Sequence, residues 1–252
     1  MKPDRKASTI IAMLRTKPFM IALIVATMFA VMGAVTPHQA AAAQPEPPSE
    51  HPHFRLPFET PPGVSTWYVS QFYGNTPLAY NRRADWYGAG QGLHFGIDFA
   101  ARCGTPVVAI GDGEVWEVDN LSHGAFPHNL TILHPNGYAS FYGHLLEQPA
   151  LRFGEKVTAG QPIALTGDPD LTCKSRPHLH LEVRDKTMGY AYNPVLLIDT
   201  DWDTLALFGP FQKFSRDLDN PRQWVTSYDQ PMVDFGGPLL NNYDHPWPPE
   251  DW

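Results

Sequence analysis

Between Thr105 and Arg184 every apolar run is cut after a few residues by glycine, proline or asparagine. This punctuation limits the fold more than any other feature. The stretch "TPVVAIGDGEVWEV" (105–118) holds two strand-like runs joined at Gly111–Asp112–Gly113, a hairpin signal. "NLTILHPNGYASFYGHL" (129–145) repeats the pattern around Pro135–Asn136–Gly137, and "EKVTAGQPIALTG" (155–167) gives two more short runs around Ala159–Gly160. "HLHLEVR" (178–184) alternates across two faces, as a strand does. No stretch of 65–200 sustains a 3.6-residue period. The expectation is an all-β antiparallel domain over 65–200 with few or no long helices. The 26 prolines and 20 glycines agree with many turns, and 43% hydrophobic residues suffice for a sizeable core.

The flanks differ. Residues 1–43 combine Lys2, Arg5, Lys6, Arg15 and Lys17 with the charge-free run Pro18 to Val35 and small residues around Ala41–Ala43. This pattern predicts a secretory signal peptide, with an uncleaved anchor as the alternative, and an exported chain in either case. Residues 44–64 are proline-rich and predict a stiff, extended tether. Residues 201–252 carry Trp202, Trp224, Trp247 and Trp252 among prolines and acids without periodicity. They predict an irregular extension covering the core. The chain has a net charge of −8; residues 1–43 carry +4, which leaves −12 for the remainder. Such a balance argues against nucleic acid and against electrostatic docking on an anionic surface. Membrane contact is expected only through the N-terminal segment, if that is retained. Cys103 and Cys173 suit an exported chain as one disulfide, against the alternative of two unpaired buried thiols.

Candidate chemistry centres on histidine. On a strand, residues two apart share a face about 6.6 Å apart, so His178 and His180 look into one cleft while Leu179 and Leu181 point to the core. Alone, the pair fits two structural histidines equally well. "GLHFGIDFA" (92–100) adds His94 and Asp98 in an apolar setting. A carboxylate there needs a partner, either a cation or an arginine such as Arg82 or Arg102. Fully extended, His94 and Asp98 would lie about 13 Å apart, so the chain must bend between them at Gly96. "SFYGHL" (140–145) places His144 at a strand end.

The ordered set "LHFGID", "YGHL" and "PHLHLEV", with the intervening "GTPVVAIGDGEV" and "GEKVTAGQPIALTG", resembles the lysostaphin-type (M23, LytM-domain) zinc metallopeptidases over roughly 70–200. The resemblance implies a β-sheet domain with a substrate groove, one Zn²⁺ per chain, and hydrolysis of stem or cross-link peptide bonds in bacterial peptidoglycan. It implies His94, Asp98 and His180 as metal ligands. His144 and His178 would position or deprotonate the water and stabilise the oxyanion, in an order left open. The segment "DPDLTCKSRP" before the last motif departs from the small residues usual there. A Cys103–Cys173 bridge would tie the two ligand segments together.

Two other classes compete. A catalytically inactive LytM-type module that activates another wall hydrolase would typically lack some ligands, whereas all five positions are filled here. A lipoyl-like hairpin module would need a lysine at its hairpin tip, and none stands there. Of the remaining histidines, His134 is expected to be structural and His123 and His128 to lie in a loop near the groove. His38, His51, His53 and His245 are expected to be solvated.

Overall fold

The computed structural model describes residues 54–210 and 213–243. The signal segment, residues 44–53 of the tether, His38, His51, His53, His245, Trp247 and Trp252 lie outside the described residues. Thirteen short strands are present: β1 Trp67–Gln71, β2 Ile97–Ala101, β3 Pro106–Val108, β4 Gly113–Val118, β5 His128–Leu133, β6 Tyr138–Leu145, β7 Lys156–Val157, β8 Pro162–Leu165, β9 His178–Asp185, β10 Tyr190–Tyr192, β11 Phe214–Arg216, β12 Trp224–Thr226 and β13 Val233–Asp234. The described α-helices are single turns, α1 Pro77–Asn81 and α2 Trp202–Leu205. Thr76 caps α1, its hydroxyl accepting from the Ala79 amide, and Pro77 pre-sets the first turn.

The main sheet runs β1-β2-β9-β6-β5-β4-β7 and every pair in it is antiparallel. β9 is its axis. Its N-terminal half pairs with β2 and its C-terminal half with β10, while β6 runs along the other edge. Both faces of β9 are buried: Leu179, Leu181 and Val183 join the core, and His180, Glu182 and Arg184 are enclosed on the other side. Phe58 stacks on Trp67 at 5.0 Å, and both meet Phe99 edge-on, which closes the core beneath β1 and β2.

The turn at 135–137 joins β5 and β6 as expected, with Gly137 at φ 88° and the His134 amide bonded to the Tyr138 carbonyl. The other two expected hairpins form differently. β3 pairs with β8 and β4 with β7, so the turns at 111–113 and 159–160 each connect two different sheets. Asp112 fixes one turn against the other: its carboxylate accepts the Ala159 amide and its carbonyl accepts His134 Nδ1. The Asp112–Ala159 bond holds the two turns together in this exchanged pairing.

Two flanks depart from expectation. Within the expected tether, residues 54–63 pack onto the domain. Phe54 and Phe58 are buried, and backbone bonds tie Phe54 to Leu197 and Asp199, and Arg55 to Ile110. Burying two phenylalanines outweighs the extended preference of the prolines around them. The C-terminal segment is not wholly irregular. Trp202 enters the core, β11 and β12 form a hairpin, and β13 extends the main sheet through β10.

Candidate metal centre

The β2–β9 register places Asp98 directly opposite His180, and Ala100 opposite His178. His94 precedes β2 and is held by reciprocal backbone bonds with Gly74. The chain turns at Gly96, where a Cβ would come within 2.7 Å of the His180 ring and of the Leu181 carbonyl. The glycine therefore serves close approach, and the bend brings His94 back to Asp98.

The outcome is three donor atoms converging on one point. His94 Nε2 lies 3.3 Å from His180 Nδ1 and 3.2 Å from Asp98 Oδ1, and His180 Nδ1 lies 2.7 Å from that oxygen. Donors about 2.0–2.2 Å from a tetrahedral zinc stand roughly 3.3 Å apart, so the set fits such an ion as three ligands with one position left open. Each ring is oriented from behind. His94 Nδ1 donates to the Phe72 carbonyl at 2.8 Å, which leaves Nε2 as the donor atom. Tyr87 packs edge-on against His94 and hydrogen-bonds Gln71. Burial opposes ionisation of Asp98, yet the charges of His94 and His178 and the hydrogen bonds from His180 and His94 hold its pKa well below the usual range. Asp98 takes histidines as partners; Arg82 bridges Asp85 instead.

His180 gains a second acid that sequence reasoning missed. Its Nε2 donates to Glu182 Oε1 at 3.1 Å, and Arg184 binds Glu182 through Nε at 2.6 Å and Nη2 at 2.9 Å. Burial alone would lower the His180 pKa, but the hydrogen bonds to Asp98 and Glu182 raise it to about 9. Burial would raise the Glu182 pKa, and the charges of Arg184 and His180 overcome it. Asp98, His180, Glu182 and Arg184 thus form a chain of alternating charge. The signal was available, since strict alternation puts 178, 180, 182 and 184 on one face. What could not be read was that a glutamate and an arginine are buried there.

His144 and His178 stand beside this set, their ring centroids 4.7 Å apart and His144 5.9 Å from His180. His144 adopts φ 57°, a left-handed backbone unusual for a non-glycine residue, at an irregularity of the β5–β6 ladder. Its Nδ1 donates to the Phe126 carbonyl at 2.5 Å, and His178 Nδ1 donates to the Arg176 carbonyl at 2.7 Å. Both rings therefore keep Nε2 for other partners. Burial, followed by the neighbouring His178 and His180, lowers the His144 pKa to about 3, so it is neutral at ordinary pH. All five residues line one groove of about 1020 Å³. His123 lines it too and pairs with Glu117, whereas His128 pairs with Asp119. His134 is structural, as expected: it bonds the Asp112 carbonyl and Ser140. Cys103 and Cys173 form a disulfide.

A sequence model for peptidase family M23 matches residues 92–194. The chain is similar to the peptidoglycan DD-endopeptidase ShyA of Vibrio cholerae, 39% identical over 36% of this chain and 20% of that protein. It is similar to the murein hydrolase activator NlpD of Escherichia coli, 35% identical over 43% of this chain and 27% of that protein. Among solved structures, the catalytic domain of the antimicrobial peptidase lysostaphin from Staphylococcus simulans matches 52% of this chain and 92% of that chain, at 27% identity and a TM-score of 0.42. The match thus spans about a fifth to a quarter of these two curated relatives. Residues 92–194 of the chain thus match peptidase family M23.

Proposed function

We propose that this chain is an exported zinc endopeptidase hydrolysing stem or cross-link peptide bonds of bacterial peptidoglycan. One observation carries the reading: a largely buried triad of donors spaced for a single ion shares a groove with two histidines, each anchored through Nδ1 so that Nε2 faces the site. His94, Asp98 and His180 would hold the zinc. When bound, the ion supplies a Lewis acid that polarises the scissile carbonyl and makes a water nucleophilic near neutral pH. The neutral His144, its Nδ1–H anchored to Phe126, offers a lone pair able to accept a proton from the attacking water. His178, similarly anchored to Arg176, can donate a hydrogen bond to the developing oxyanion once protonated, or exchange roles with His144. Glu182, held by Arg184, keeps His180 turned so that Nδ1 faces the site.

Similarity to NlpD supports a second reading, an activator of another wall hydrolase. The complete set of five residues favours the enzyme. Zinc analysis and a peptidoglycan-release assay on the wild type, His94→Ala and His178→Ala separate the two. The enzyme reading expects His94→Ala to lose metal and activity, and His178→Ala to keep metal and lose activity. Full activity in His178→Ala would refute the mechanism, and zinc-loaded wild type without turnover would favour the activator.

A further inference from the structure

The groove-facing ladder that holds the metal site continues past it. Asp98 is opposite His180 and Ala100 is opposite His178, and the Ala101 amide bonds the Pro177 carbonyl. Arg102 and Arg176 follow one step beyond the last paired residues, and both line the groove. Each step of two residues is about 6.6 Å, so this pair lies about 6.6 Å past His178 and about 13 Å past the Asp98–His180 pair.

Two arginines brought near one another repel. The fold holds them together nonetheless, because the Cys103–Cys173 disulfide joins the two loops that carry them. Compensation within the chain is weak. Among the described residues Arg102 has no acidic partner, and Arg176 reaches Asp170 only at 3.5 Å, with both side chains about half exposed. Arg176 also lies over the Trp86 ring at 4.8 Å, as does Arg82 at 4.1 Å. Stacking on an aromatic plane fixes a guanidinium's direction while leaving its N–H edge to bond elsewhere. The acids lining the groove, Asp98 and Glu182, are both engaged by histidine or arginine inside the site. A protein with a net charge of −8 therefore presents a cationic end to its groove.

We infer that Arg102 and Arg176, backed by Trp86, form a carboxylate-binding subsite that selects peptides bearing a free carboxylate within about four residues of the bond at the metal centre. An extended peptide advances about 3.3–3.6 Å per residue, so about 13 Å spans that distance. The carboxylate accepts from one or both guanidinium groups, relieves their mutual repulsion and fixes the peptide's register in the groove. The inference rests on the peptidase reading for its substrate, but its test reads binding as well as turnover.

The probes are a synthetic pentapeptide with one internal glutamate and a free C-terminus, the same peptide with its C-terminus amidated, and the same peptide with glutamine for glutamate. Calorimetry on zinc-loaded His178→Ala protein measures affinity without cleavage, and the wild type gives KM and kcat. Adding Arg102→Gln and Arg176→Gln together should weaken binding of the free-carboxylate peptide tenfold or more, as expected for lost charge-assisted bonds. It should raise KM with kcat little changed. Affinity for whichever modified peptide lacks the recognised carboxylate should not fall further, which tells the C-terminal source from the side-chain source. Arg102→Lys with Arg176→Lys should recover only part of the affinity, since lysine lacks the planar fork. Equal losses on all three peptides, or no loss on any, would overturn the subsite. If wild type binds with this arginine dependence but cleaves nothing, the subsite stands and the peptidase reading fails.

Discussion

Replacing Arg184 by methionine isolates the buried charge chain behind His180. Arg184 is 2% exposed, grips Glu182 through two nitrogens, and lies over Phe141 at 4.7 Å and Phe235 at 4.3 Å. Methionine fills much of the same space but leaves Glu182 buried with only the His180 N–H as partner. Removing one member of a buried pair destabilises by about 3–5 kcal/mol, which for a domain of this size lowers Tm by roughly 10 °C. Glu182→Leu should be destabilising for the mirror reason, since it strands the guanidinium. The double variant Glu182→Leu/Arg184→Met removes both charges together and should lie near the wild type, because desolvation offsets most of the attraction within such a pair. Urea unfolding of the four metal-free proteins at pH 7, with the disulfide intact, closes the cycle. The double variant then tests the second consequence. Although stable again, it offers the His180 Nε2–H no acceptor, and its zinc affinity should fall 10–100-fold. A loss under about 1 kcal/mol for Arg184→Met, or a double variant as damaged as the sum of the singles, would refute the reasoning.

Three further outcomes follow from the same geometry. Burial, opposed by its bond to the Asp112 carbonyl, lowers the His134 pKa to about 4. The folded pKa lies below the unfolded value of about 6.5, so stability is full above about pH 6.5 and declines by about 3 kcal/mol as pH falls to about 4. In His134→Gln, Tm should depend less steeply on pH across that window, and an unchanged slope would refute the assignment. Cys103 and Cys173 are 70 residues apart, so Cys103→Ser/Cys173→Ser should lose about 4 kcal/mol by the loop-entropy estimate and hold zinc more weakly. Unchanged melting and zinc retention would count against the brace. Gly96→Ala pushes a methyl against the His180 ring and a backbone carbonyl, and should destabilise by about 1–3 kcal/mol and lower zinc occupancy, read by metal analysis of purified protein.

Much of this site is written into the chain. Short apolar runs separated by glycine turns dictate an antiparallel β domain, because no run is long enough for a helix. Alternation in 178–184 sends the leucines to the core and puts His178 and His180 on one face, whatever strand lies next to them. The ordered motifs select His94, Asp98 and His144 from among eleven histidines and many acids. Pairing is another matter. Alternation states which face a residue occupies but not which strand lies beside it, so the exchange of β3 and β4 between β8 and β7 emerged only in the fold. The same gap hid the burial of Phe54 and Phe58, since an apolar side chain in a proline-rich stretch is buried only if distant strands leave room for it. It also hid the burial of Glu182 and Arg184: alternation fixes their face, but the Phe141 and Phe235 rings packed against Arg184 come from elsewhere in the fold. Arg102 and Arg176 share the groove for the same reason. They are 74 positions apart in sequence, and only the β2–β9 pairing and the disulfide bring the segments that carry them to one groove.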